Sequence, residues 1–145
     1  MATFFFYNHT IHDFNTGVFS VSDTYKVILL SDSAAFNGTD TTIDAATNTG
    51  GWEISGYGWD VGGLEITNPV IASDGADGSK FSGDDISQAI SGGDLGPVYA
   101  YLIVNVTESK PVAFVLLSAP QTVLNNNLAI ISWNAAGIIA WTPGN

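Results

Sequence analysis

Cysteine and arginine are both absent from this sequence, and lysine occurs only at Lys26, Lys80 and Lys110. Without a thiol, neither a disulfide framework nor a thiolate metal centre can form, so stability has to come from packing, helped by association between chains. Without arginine, the usual bidentate clamp for carboxylate and phosphate ligands is missing. Fourteen Asp and Glu against three lysines give a net charge of −11. A chain of that sign is repelled by the phosphate backbone, which argues against a nucleic-acid partner. Long apolar runs are lacking too. The apolar runs, Val112 to Leu117 and Gly137 to Trp141 among them, fall far short of the ~20 residues of a membrane-spanning helix, so no membrane partner is expected. The N-terminus, MATFFFYNHT, has an aromatic cluster but neither a positively charged n-region nor an apolar stretch of signal-peptide length. Synthesis in a cytoplasm without an export signal is the expectation.

What is present describes a folded chain. Hydrophobic residues make up 46% of the sequence and charged residues 12%, the reverse of a disordered composition. A length of 145 residues suits one domain, here 1–145, with 1–17 as a possible N-terminal arm. TYKVILL at Thr24 to Leu30 is β-branched, aromatic and followed by polar residues, which predicts a strand. Ile11 and Phe14 stand three apart before Gly17, which predicts a short helical turn. Asn37 to Thr49 has the composition of an exposed loop. Ser73 to Asp94 holds five of the eleven aspartates and reads as a long acidic excursion anchored by Phe81, Ile86, Ala89 and Ile90. After it, Pro97 to Val106, Lys110 to Ser118, Asn127 to Trp133 and Gly137 to Thr142 are four strand candidates with short turns between them, the pattern of a meander. The expected fold is all-β: an antiparallel sandwich or barrel with long acidic loops and at most one or two short helical turns.

Gly50 to Ile66, GGWEISGYGWDVGGLEI, crowds aromatics among glycines. Trp52 and Ile54 alternate, as do Tyr57 and Trp59, but the phase slips at Ser55-Gly56, as it does across a β-bulge. Gly62-Gly63 suits a two-residue hairpin turn leading into Leu64 and Ile66, and Asn68-Pro69 interrupts the strand before Val70 and Ile71. Gly56 and Gly58 are expected to shape the bend, with Trp52 and Trp59 brought inward by it. A sugar-stacking platform is the rival reading of the same aromatics, but large aromatic side chains in a β protein more often fill the core.

Other chemistry is weakly signalled. His9, His12 and Asp13 have a spacing that could hold a metal on one helical turn, yet with two histidines in the chain an ordinary polar turn is preferred. SDGADGSKFSGDD has a calcium-loop composition without the EF-hand register, and a solvated loop is preferred. Glu53, Asp60 and Glu65 lie among aromatics as glycosidase carboxylates do, but no His, Arg or Asn stands in the segment to tune them, and alternation makes Glu53 and Glu65 outward strand residues. No phosphate-binding or nucleophile motif occurs. Neither a catalytic residue, a metal site nor a cofactor is assigned, and the chain is not expected to be an enzyme. Phe4-Phe5-Phe6-Tyr7 is the contact candidate, because four consecutive aromatics leave both faces of a strand needing cover. Residues 2–7 are accordingly expected to be dispensable for folding and needed for binding.

Three stretches taken in order, Asp23 to Ser31, Glu53 to Leu64 and Ile131 to Trp141, resemble those of small β-rich structural proteins of tailed bacteriophages, a group that includes head decoration (cement) proteins. Gly56-Tyr57-Gly58-Trp59 departs from that pattern in that Trp59 takes the family's aromatic position and Tyr57 is an addition. Trp133, Gly137 and Trp141 belong to a terminal hairpin in the resemblance. What it implies is a virion structural protein on the outer capsid surface, assembled in the bacterial cytoplasm, with the major capsid protein and copies of itself as partners, as a homotrimer. A neck or tail protein and a glycan-binding adhesion module are the alternatives.

Overall fold

The computed structural model describes residues 3–73, 79–133 and 139–141, with the backbone alone at 73, 79 and 139–141. In chain order the elements are β1 (Thr3–Phe6), α1 (Thr10–Asn15), β2 (Tyr25–Leu30), α2 (Ile43–Thr47), β3 (Glu53–Ile54), β4 (Leu64–Glu65) and β5 (Val70–Ser73). There follow β6 (Ser79–Ser82), β7 (Ile86–Ala89), β8 (Leu95–Asn105), β9 (Lys110–Val123), β10 (Leu128–Ile131) and β11 (Ile139–Trp141). The strands pair antiparallel throughout, so the fold is all-β.

The main sheet runs β1-β9-β8-β2-β3, with β4 also on β2. Its central strands are apolar on both sides. In β2, Tyr25, Val27 and Leu29 face one cluster and Ile28 and Leu30 the other. In β8, Ile103 opposes Leu102 and Val104, and in β9, Ala113 and Val115 oppose Phe114. Burial of both faces is what turns an alternating pattern into the continuous runs of the sequence. Phe14, Phe19, Phe81 and Trp59 cover the first face, with Tyr25 and Phe81 ring centroids 4.6 Å apart. Phe36, Ile43, Ala46 and Trp52 cover the second, with Phe36 lying 5.2 Å from Phe5 and 5.0 Å from Tyr7.

Several sequence expectations are corrected. The four late strands are not a meander: β8 and β9 form a hairpin, but β10 pairs with β7 and β11 with β6. The acidic excursion therefore supplies strands that the C-terminal strands need, and its anchors Phe81 and Ile90 are fully buried. For the same reason β10 and β11 are not the two arms of a terminal hairpin. Gly137 and the side chain of Trp141 lie outside the described residues. The stretch Asn37 to Thr49 is not all loop, since Thr42 accepts a hydrogen bond from the Ala45 N–H and starts α2, which buries Ala46 and Thr47. Nor do residues 3–17 stand off as an arm. β1 pairs with β9 from Thr3↔Leu116 to Phe6↔Ala113, and Tyr7 and Phe14 are buried. Removing residues 2–7 would take a strand and a core tyrosine from the domain, so that segment is not dispensable for folding.

Burial pushes the phenols of Tyr7 and Tyr25 well above the ordinary 10.0, with the Asp40 carboxylate adding to the shift at Tyr7 and Asp23 at Tyr25. Burial moves Tyr101 the same way. The unfolded chain releases these protons near pH 10 while the folded chain holds them, so their contribution is intact below that pH and is lost as pH rises further. An alkaline titration should show phenolate absorbance from these side chains appearing together with loss of the native circular dichroism. Ionisation of all five tyrosines with the native signal retained would contradict this.

Candidate interaction surface

All seventeen charged side chains lie between Asp13 and Lys110; residues 1–12 and 111–145 contain no Asp, Glu, Lys or Arg. The topology brings these two uncharged ends together, because β1 is the neighbour of β9 at the edge of the main sheet. Among the described residues, half of the exposed large apolar side chains belong to them: Phe4, Phe6, Leu116, Leu124, Leu128 and Ile130. Ile130 is 60% exposed and Leu128 56%, two residues apart on β10, while Ala129 between them is buried. Beside them opens an apolar groove of about 150 Å³ with Leu29, Val98, Tyr101, Leu117, Val123 and Ile131 among its lining residues. Exposed apolar residues that cluster mark a contact surface better than scattered ones do. The signal for this flank was the charge-free run from Pro111 onward, which strand patterning alone does not register.

The N-terminal aromatics divide by strand parity. Phe5 and Tyr7 turn inward to Phe36 and Phe114, whereas Phe4 and Phe6 are 38% and 37% exposed. Only two of the four aromatics of the contact candidate therefore remain for a partner.

The glycine-rich segment is a different construction from the hairpin expected of it. β3 and β4 do not pair with each other. Both lie along β2, Glu53 opposite Leu30 and Ile54 opposite Leu29, then Leu64 opposite Val27 and Glu65 opposite Lys26. Residues 55–63 thus form a loop inserted into what is otherwise one short strand. Inside it, Gly56 and Trp59 exchange both backbone hydrogen bonds, at 2.8 and 3.0 Å, around Tyr57 and Gly58. Both of those residues have positive φ, as a tight primed turn requires. Gly62 donates its N–H to the Glu53 carboxylate at 2.5 Å, and Gly63 to the Asp60 carbonyl at 3.0 Å. The turn returns Trp59 to the core at 1% exposure. Its Nε1–H has no hydrogen-bond partner among the described residues, a cost of about 1–3 kcal/mol set against burial of the largest side chain. Trp52 is half-buried against the second face, and Tyr57 is 48% exposed. A stacking platform is therefore reduced to Tyr57 alone. Trp133 lies edge-on to Tyr101 and donates its backbone and indole N–H groups to Asp85 and to the Asp84 carbonyl.

Two of the polar candidates near the N-terminus are engaged structurally. His9 Nε2 donates to the Pro111 carbonyl at 2.8 Å, and the Asp13 carboxylate accepts from Lys110 at 3.1 Å. Among the described residues no three His, Asp or Glu side chains stand together as a metal site. Comparison with protein-family models, curated proteins and solved structures gives no match.

Substitutions in the inserted loop separate backbone from packing effects. A Cβ at Gly58 would lie 2.5 Å from the Ala89 carbonyl oxygen, and one at Gly63 would run into the Val27 carbonyl, whereas Gly56 has open space and only its φ of +111° to lose. Gly56→Ala should cost about 1 kcal/mol, with Gly58→Ala and Gly63→Ala costing more. Trp59→Ala should cost about 3–5 kcal/mol. Denaturant titration checks the order, and near-native stability in all four would refute it.

Proposed function

We propose that this protein is a non-enzymatic structural component of a tailed-bacteriophage particle, a decoration protein that binds the outer surface of the capsid shell and stabilises it. The observation that carries the reading is a set of exposed apolar side chains in a stretch of sequence that carries no charge. The flank of Leu124, Leu128 and Ile130 exposes apolar side chains beside an apolar groove, in a C-terminal stretch without Asp, Glu, Lys or Arg. Such a flank suits docking on a protein, and the acidic remainder suits a position in solvent, away from packaged DNA. The resemblance of three sequence stretches to small β-rich structural proteins of tailed bacteriophages, a group that includes decoration proteins, supports a virion structural role. Contact with the major capsid protein is assigned to Leu124, Leu128, Ile130 and the adjoining groove. Of the carboxylates considered for glycoside hydrolysis, Glu53 is engaged by the Gly62 N–H of its own loop, which favours a structural role for it over catalysis.

Quantitative mass spectrometry of purified particles of the producing bacteriophage tests the assignment, with on the order of hundreds of copies expected for a shell and about a dozen for a neck or tail ring. Complete absence from the particle would overturn it. The double substitution Leu128→Asp with Ile130→Asp should abolish capture by shells while shifting stability by no more than about 1 kcal/mol, since both side chains are exposed. Undiminished capture would refute the docking face.

A further inference from the structure

The outer edge of β1 is open: among the described residues β1 pairs only with β9, and it ends the order of the main sheet. Sheet edges are normally protected by a proline, a lysine, a bulge or an inward-pointing charge. Thr3–Phe6, TFFF, has none of these, and its register with β9 is unbroken. Shortness is its one protection.

We infer that this edge takes the β1 strand of a second copy of the chain, antiparallel, about a two-fold axis perpendicular to the sheet at Phe5. The occupant follows from charge and from parity. Two chains of net charge −11 repel one another, and they can approach most closely where neither presents a carboxylate. β1 and the part of β9 that it contacts, Ala113 to Leu116, are uncharged. Parity then fixes the register. A two-fold perpendicular to the sheet keeps each side chain on its own face, and opposed residues in an antiparallel pair share a face. With Phe5 on the axis, Phe4 of each copy stands opposite Phe6 of the other. The two half-exposed phenylalanines thereby cover each other. On the opposite face, the two Phe5 rings extend the Phe36–Phe5–Phe114 group across the junction. A slip by one residue would set Phe4 against Phe5 and place inward and outward side chains on the same face.

A contact of about five residues a side is far below the ~800 Å² per partner of a standard interface. It therefore gives weak association, with Kd on the order of 10 μM to 1 mM. Added salt should tighten it, because salt screens the repulsion between the acidic bodies and leaves the apolar ladder intact. The inference concerns the free protein and stands independently of the particle assignment. A two-fold contact also differs from the homotrimer implied by the family resemblance.

Sedimentation equilibrium of the full chain over a range of concentrations and salt tests it, with circular dichroism to establish that each variant is folded. Wild type should pass from monomer to dimer with rising concentration, more readily at higher salt. Phe4→Glu and Phe6→Lys should each lower dimerisation at least tenfold. Mixed one to one, they should recover it, because the proposed register sets position 4 of one chain against position 6 of the other. A monomer at all concentrations, a trimer, unchanged dimerisation in Phe4→Glu, or no recovery in the mixture would each overturn the inference. If both single variants fail to fold, Phe4→Ser and Phe6→Ser replace them, and dimerisation equal to wild type in both overturns it as well.

Discussion

The rest of the structure depends on the burial of β2, β8 and β9 on both faces. Three adjacent strands that are apolar above and below cannot be made soluble by one cover. The remaining chain has to supply two, which is why aromatics recur on both sides, Phe14, Phe19, Trp59 and Phe81 on one and Phe5, Tyr7 and Phe36 on the other. The same constraint governs charge. A carboxylate at any position from Val112 to Val115 would be buried without a partner and would cost several kcal/mol. None of the fourteen acidic residues is therefore found on the central three strands.

One polar junction joins the N-terminal part to this core. β1 ends at Phe6, opposite Ala113, while β9 begins three residues earlier at Lys110. Beyond the end of β1, side chains at the start of α1 take over the carbonyls of β9. His9 donates to Pro111, and Thr10 donates to Val112 at 2.6 Å. Asp13, 4% exposed, accepts from Lys110. A buried carboxylate so placed requires its cation. One of the three lysines of the chain is thus committed to holding α1 against the sheet, and His9 and Asp13 are both engaged at this junction.

Much of this architecture was legible in the sequence, and the reasons for the failures are physical. β2, β8, β9, β10 and β11 announced themselves as β-branched, aromatic runs, and α1 by the Ile11 and Phe14 spacing before Gly17. Pairing was not legible. A meander is the economical guess when strands follow closely, but β10 and β11 find their partners in β7 and β6, strands only four residues long in a segment dominated by Asp, Gly and Ser. Their β character comes from tertiary pairing and from Phe81, Ile86 and Ile90, not from local propensity. The phase slip at Ser55-Gly56 was a true sign of inserted residues along β2. What periodicity could not reveal was the number, since 55–63 is a whole loop between β3 and β4 where one extra residue was expected. The candidate surface was half legible. Four consecutive aromatics signal a problem of cover, but their division into two inward and two outward side chains follows from the strand and from its neighbour β9.

Charge placement and edge geometry combine into one constraint on how copies of this chain meet. A net charge of −11 on 145 residues acts at the range of the Debye length and opposes association through most approaches. An unprotected apolar edge acts only at contact and favours it. Were the edge long, it would template open-ended addition. At four residues it supports a single short ladder, and a two-fold axis through Phe5 uses up the open edge of both chains at once, so the assembly closes. The exposed apolar residues of β10 lie on a different sheet, paired to β7, and are not required by that ladder. They remain available to a second partner. Charge and topology together thus leave two separate neutral surfaces on an otherwise acidic molecule, one self-complementary along a strand edge and one centred on Leu128, Ile130 and a groove. Those are the features a protein needs to join its own copies while also binding a different protein surface.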